Sequence, residues 1–327
     1  MNTFHRLTLG LAMTGCFGSA NAYINIVFDY TYDANHFFTA DRRATMEQAA
    51  AVFENRVFDK LDAITSTPGG NSVSLNFLNG MVVENANIAR NELRIYVNSS
   101  SSQPLNYSEK LPVEASQGGM SYSGDVEYGN AAWERGQTGW PDTDVGTWGG
   151  SLTFSENVSW YADRNVDTVE SFAGQWDLYS VTFKGLVEIM GVSSGNVDTA
   201  YLSLLNGIGN FNGSKAKIEY DVRNPRGILQ AVPTERTFSS ETRLAANIKG
   251  DLAGGTEQLA LLAWSLNMGE RRYMTELDWA IMDDIGWDVT GFTVMPETPP
   301  IPEPQTWAML AAGLGLIGCT ARKRRMM

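Results

Sequence analysis

The chain has 327 residues, 43% hydrophobic and 19% charged, with 24 Lys and Arg against 37 Asp and Glu, giving a net charge of −13. Such acidity argues against nucleic acid and anionic lipid as partners of the bulk of the chain and favours solubility. Its 2 cysteines, Cys16 and Cys319, lie near the two ends, and its 2 histidines, His5 and His36, cannot build a three-histidine metal site.

In chain order, His5 and Arg6 open a short positive segment, Leu7 to Phe17 form an apolar one, and Ala20-Asn21-Ala22 supply an A-x-A site before Tyr23. The pattern predicts a signal peptide over 1–22, cut between Ala22 and Tyr23, and export through the secretion translocon. Met13-Thr14-Gly15-Cys16 offers a lipoprotein reading, with Met where Leu is usual. Plain secretion is the preferred reading; Cys16 then leaves with the signal peptide and Cys319 lies in the tail, so the body has no disulfide although its compartment would permit one.

Ile24, Ile26 and Phe28 alternate, as do Val73, Leu75 and Phe77, and Leu93, Ile95 and Val97, so each set predicts a strand with one buried face. Between the first two, Met46, Ala50, Phe53, Val57, Leu61 and Ile64 recur at steps of three and four, which predicts a long helix. Ser99 to Ser102 and Gly118-Gly119 mark loops, and Trp148 to Phe154 begins another strand. Leu178, Val181, Leu186 and Ile189 predict a helix stopped by Gly191. Thr275 to Ile285 is a second: Thr275 and Asp278 resemble a capping box, Leu277, Ile281 and Ile285 share a face, and Gly286 ends it. The fold class is α+β.

Three sets of side chains in this body invite chemistry. Asp163, Asn165 and Asp167 have the opening spacing of a calcium loop, but Gly is missing from its sixth place and Glu from its twelfth, so a solvated loop rich in Asx turns competes with the cation. Asp142 and Asp144 form an adjacent-but-one pair of acids of the kind used in sugar hydrolysis, with no separation to be read. Trp133, Trp140, Trp148, Trp160, Tyr161 and Trp176 crowd one region, where burial as core is favoured over an exposed platform for saccharide.

Beyond residue 293 the composition changes. Pro296, Pro299 and Pro300 mark an extended spacer over 294–301. Pro302-Glu303-Pro304 follows, then an apolar stretch of about fifteen residues from Trp307 to Ala321, then Arg322-Lys323-Arg324-Arg325. As a helix that stretch is ~22 Å long, short against a hydrocarbon core of ~30 Å, and its basic end keeps to the cytoplasmic side, leaving the body outside. The order Pro-Glu-Pro, apolar helix, basic end resembles the PEP-CTERM sorting signal of Gram-negative bacteria. The resemblance implies a membrane-held tail over 302–327, an exosortase-type processing enzyme as partner, and a body retained at the inner membrane, attached to the envelope or released into a matrix. Removing Arg6 and the four basic tail residues leaves 19 basic against 37 acidic residues, so the exported body carries about −18.

A second resemblance concerns the body over 23–293. Gly174-Gln175-Trp176-Asp177-Leu178-Tyr179-Ser180-Val181-Thr182-Phe183 is similar to the lead into the His-Glu-x-x-His helix of exported zincin-type metalloproteases of the metzincin kind, with Gly191 as the glycine that follows. Trp148 to Tyr161 resembles the strand before that helix, and Gly269 to Arg272, Thr275 to Asp278 and Asp284 to Trp287 its closing segment. Laid on that pattern, Lys184 stands at the first histidine, Gly185 at the catalytic glutamate, Glu188 at the second histidine and Ser194 at the third, while Leu262 stands at the Met-turn methionine. The resemblance therefore implies a metzincin-like mixed sheet with a long N-terminal helix and a degenerate active-site helix, without zinc: a protonated ammonium is a poor ligand and glycine offers no base.

Lys184 and Glu188, spaced i, i+4, are expected to meet as an ion pair in place of the metal, or else to point to solvent. The favoured function is a non-catalytic binding or structural protein of the cell surface with a polysaccharide or envelope partner. The alternative is a hydrolase with a rearranged metal or carboxylate site, and an active zinc peptidase ranks last.

Overall fold

Ile24, Ile26 and Phe28 turn to one side and are buried, and strand β1 (Asn25–Asp29) follows from that alternation. The computed structural model describes residues 23–77, 80–101, 111–137, 144–168, 171–192, 199–224, 229–236, 242–263 and 265–290. All belong to one compact unit that ends at Phe292; the second unit, Thr293–Met327, lies outside the described residues, with the sorting-signal residues and the predicted membrane span, and so do Ala22 and the rest of the predicted signal peptide. Among the described residues no helix is long and apolar enough to cross a membrane.

After β1 the chain forms α1 (Ala40–Glu54), β2 (Ser72–Asn76), β3 (Val82–Val83), β4 (Glu92–Ser100), β5 (Val113–Ser116), β6 (Gly119–Ser123), α2 (Val126–Glu134), β7 (Gly149–Ser155), β8 (Trp160–Tyr161), β9 (Trp176–Asp177) and α3 (Leu178–Ile189). The later part adds α4 (Thr199–Ser203), α5 (Ser214–Arg223), the hairpins β10 (Thr234–Arg236) with β11 (Thr242–Leu244) and β12 (Lys249–Asp251) with β13 (Glu257–Leu259), and α6 (Glu276–Asp284). This is the α+β class expected.

The central sheet runs β1-β4-β7-β5, parallel across its first three strands and antiparallel at the β5 edge. All seven residues of β7 are buried, as suits a central strand covered on both faces. Helices α1 and α3 pack against each other, and α3 also lies on β5 and β7. Two glycines permit that close approach. A Cβ on Gly185 would stand 2.6 Å from Leu152 Cδ2, and one on Gly150 would stand 2.4 Å from the Ser116 carbonyl and 2.9 Å from Ile189 Cγ1. A smaller sheet, β3-β2-β6, buries Val73, Leu75 and Phe77 in a second cluster with Tyr96 and Trp148, where the three aromatic rings meet edge to face or tilted.

The long first helix is a correction. Only Met46, Ala50 and Phe53 of its stripe lie on α1; the amide of Asn55 returns to the carbonyls of Ala51 and Phe53 and closes the helix there. Val57, Leu61 and Ile64 are buried all the same, on extended chain. Val57 bridges Val289, its carbonyl accepts from Ile24 N, and Ile64 bridges Ile88. Pairing with three separate segments took those residues from the helix while keeping them in the core. The second expected helix holds: Thr275 and Asp278 form a reciprocal capping box at the start of α6, and Gly286, at φ 117°, stands just past its end.

Candidate functional site

Helix α3 begins where Asp177 caps it. The Asp177 carboxylate accepts from Ser180 N at 3.1 Å and Ser180 Oγ at 2.6 Å, and is held by Arg271 through Nη2–Oδ1 at 2.8 Å and Nε–Oδ2 at 3.1 Å. Both side chains of this ion pair are buried. Arg271 also donates to the carbonyls of Val166 and Thr168 and lies over the rings of Tyr161 and Tyr179, so its guanidinium is matched on most sides. At the other end of α3, Trp287 Nε1 donates to the Met190 carbonyl at 2.8 Å, and Gly191 turns the chain away at φ 101°.

Between these anchors lie the positions at issue. Lys184 is 1% exposed, and its Nζ donates to the Ala263 carbonyl at 2.5 Å. Burial, and after it the nearby Arg243, pushes the ammonium down to about 7, while Glu188 pulls it back up. Gly185 faces Leu152 and serves packing. Glu188, half-buried, forms an ion pair with Arg243 of β11, a close contact between Oε1 and Nη1. The expected Lys184–Glu188 pair is therefore corrected: the two do share a helix face, but Arg243 takes the carboxylate and a backbone carbonyl takes the ammonium.

Ala263 belongs to a turn whose backbone is gripped by buried charges. Arg272 Nη1 donates to the Ala260 carbonyl at 3.4 Å, Asp278 accepts from Leu261 N at 2.9 Å and Leu262 N at 3.0 Å, and Lys184 completes the set at Ala263. Asp278 also accepts from the amide and hydroxyl of Thr275, so one carboxylate caps α6 and fixes the turn. Lys184, Glu188, Val192, Tyr201, Arg243, Leu244 and Leu262 line a small pocket with an empty volume of about 270 Å³ including its open mouth, narrowing to room for roughly one water-sized particle. Lys184, Glu188 and Leu262 were singled out by sequence pattern. Arg243 and Tyr201 were not, because they come from β11 and α4, short elements with no apolar period of their own.

Ser194 lies outside the described residues, as do Asp142 and Trp140. Tyr23 is 50% exposed. The oxygens of the 163–167 loop serve its own chain: Asp163 accepts from Asn165 N at 2.9 Å and from Tyr161 OH at 3.1 Å, and Asn165 accepts from Asp167 N at 3.3 Å. These are Asx turns, the competing expectation for this stretch. Among the described residues no group of three or more His, Cys, Asp and Glu side chains is arranged to hold a metal ion. Trp148 and Trp160 are core, Tyr161 and Trp176 are half-buried, and Trp133 is 54% exposed.

Residues 300–325 match the PEP-CTERM protein-sorting motif. The chain carries an exosortase sorting signal. It is thereby an exported protein, sorted to the cell surface and processed by exosortase. No curated protein and no solved structure matches the chain.

The residues at the metal positions of the resemblance do not fit zinc. An ammonium bonded to a carbonyl, a glycine packed on leucine and a glutamate already paired with arginine offer neither a ligand set nor a general base.

Proposed function

We propose that the exported body, residues 23–293, is a non-catalytic binding or structural module of the cell surface, built on a metzincin-like domain that has lost its zinc chemistry. The signal peptide over 1–22 delivers it, the spacer over 294–301 separates it from the membrane, and the tail over 302–327 holds it for exosortase with Arg322 to Arg325 on the cytoplasmic side. One observation carries the reading of the body. Lys184, Glu188 and Leu262 stand at the first histidine, the second histidine and the Met-turn methionine of the resemblance, and Leu262, far from the other two in sequence, lines one pocket with them. Helix α3, which bears Lys184 and Glu188, follows a buried strand, β7, as the resemblance implies, and a short paired stretch, β8 with β9.

A carboxylate hydrolase would need two acids facing one cleft, and the single carboxylate of this pocket is neutralised by Arg243. The reading is tested on purified protein by metal analysis together with peptidase and glycosidase assays. It expects substoichiometric zinc, no turnover and dose-dependent retention on a polysaccharide column. Stoichiometric zinc with chelator-sensitive proteolysis would overturn it, and glycosidase turnover would replace it with the hydrolase.

A further inference from the structure

We propose that the open edge of β6 takes up an extended segment of a basic partner polypeptide as an added strand, with the flank of α2 covering one face of it. The pocket on α3 has no part in this.

The direction of the free backbone groups follows from β2. Val73 N donates to Ser66 Oγ at 2.9 Å, and the Val73 carbonyl accepts from Ala86 N at 2.8 Å, so both groups of Val73 turn away from β6. Val73 stands opposite Tyr122, and Ser74 opposite Ser121. In an antiparallel ladder β6 then bonds to β2 through Gly119, Ser121 and Ser123, and turns the N–H and C=O of Met120 and Tyr122 outward. Among the described residues nothing bonds those four groups. The edges of the central sheet are guarded: Ile26 N of β1 donates to Glu54 Oε1 at 2.8 Å, and β5 carries Glu114. β6, Gly-Met-Ser-Tyr-Ser, has neither charge nor proline to deter a further strand.

Helix α2 supplies an apolar wall beside that edge. The Tyr122 ring lies against Gly129, where a Cβ would stand 2.6 Å from it, and Tyr122 is still 45% exposed. Tyr128 OH donates to the Thr65 carbonyl at 3.0 Å, next to the Ser66 that bonds Val73, which puts Tyr128 on the β3 side of the helix. At 100° per residue, the buried Gly129 and Ala132 lie between Tyr128 and the pair Val126 and Trp133. Val126, 64% exposed, and Trp133 therefore occupy the flank away from β3, on the side of the open edge.

Charge selects the partner. From Val113 to Gly136 the acids are Glu114, Asp125, Glu127 and Glu134, and the one cation is Arg135. Arg135 is buried and donates to the carbonyls of Asp62, Glu92, Thr147 and Ala89, so it offers nothing to a ligand. Asp125, Glu127 and Glu134 are exposed. A second copy of the chain would bring the same acids together. A segment carrying lysine or arginine beside apolar residues meets both the acids and the Val126–Trp133 wall, and its extended backbone repeats at the spacing of the free groups of β6, which a sugar chain does not.

The test uses the full-length protein in detergent and, as probe, a blocked heptapeptide alternating valine with lysine. With peptide at ten times its Kd, the amides of Met120 and Tyr122 should exchange with deuterium about tenfold more slowly. Met120→Pro, which removes an outward N–H that the β2 ladder does not use, and Trp133→Ala, on the surface, should each weaken binding by about tenfold. A valine–glutamate heptapeptide, and the valine–lysine peptide N-methylated at every amide, should not bind. The proposal is overturned by no binding of the valine–lysine peptide at millimolar concentration, by equal binding of either control peptide, or by undiminished binding in both variants. A dimer in sedimentation that Met120→Pro dissociates would assign the edge to a second copy instead, and retention on a neutral polysaccharide lost in Trp133→Ala, without peptide binding, would assign the wall to sugar.

Discussion

The start and the middle of the same helix treat buried charge in opposite ways. At the start of α3, Asp177 and Arg271 are both buried and almost every polar atom of the pair has a partner: two donors from Ser180, two backbone carbonyls and two aromatic faces. Two turns on, Lys184 is as deeply buried, with one carbonyl and a nearby carboxylate that Arg243 has taken. A fully partnered charge fixes a fold, since removing either half strands the other. An under-partnered one stores a response to protons or ions. The difference separates the structural part of the helix from the part open to function.

Breaking that contrast at its strong end should have the largest effect. Arg271→Met leaves Asp177 buried and unpaired and is expected to cost about 3–5 kcal/mol of stability, read from denaturant midpoints. At the weak end, the folded protein holds the Lys184 ammonium below its ordinary 10.5, down to about 7. Between those two values the unfolded chain binds a proton that the folded chain does not, so stability rises with pH from 7 to 10.5, by up to about 1.4 kcal/mol per pH unit. Lys184→Met should remove that slope while leaving the protein folded, as denaturation curves across the window would show.

A carboxylate far from the pocket gives the mirror image. Asp59 is 4% exposed and accepts from Asp288 N at 3.0 Å, and burial first, then the charges of Asp288, Asp144 and Asp283, push its carboxyl up to about 7. Its folded value lies above the ordinary 3.8, so its contribution is present at low pH and lost as pH rises from 3.8 to about 7. Asp59→Asn should flatten the stability profile in that window and leave the Lys184 window untouched. The smallest effect belongs to Gly185. Gly185→Ala gains about 1 kcal/mol of helix propensity and presses a Cβ to 2.6 Å from a flexible Leu152 methyl. The expected outcome is a net loss of about 1 kcal/mol by thermal unfolding.

Much of the scaffold was legible because each element depends on its own residues. Alternation gave β1, β2 and β4, a turn signal marked the start of β7, and α6 announced itself through Thr275, Asp278 and Gly286. The end of α1 was hidden because Val57, Leu61 and Ile64 keep the apolar spacing after the backbone has left the helix, and what holds them there is Ile24, Ile88 and Val289. The hairpins and α4 and α5 had no signal beyond short mixed sequences, so no helix or strand was read between Gly191 and Thr275. The site divided along the same line. Lys184, Gly185 and Glu188 could be named from one helix, whereas Arg243 and Tyr201 reach the pocket through folding of that unread stretch, and the partner of Glu188 was mistaken for that reason.

The direct measurement is the titration of the Lys184 amine in the intact protein, followed through its 13Cε and 15Nζ resonances and assigned by their loss in Lys184→Met. A buried, under-partnered cation predicts one lysine titrating near 7, apart from the rest. Were every lysine, Lys184 included, to titrate near 10.5, the ammonium would be solvated or fully paired, and the distinction between the start of α3 and its middle would be wrong.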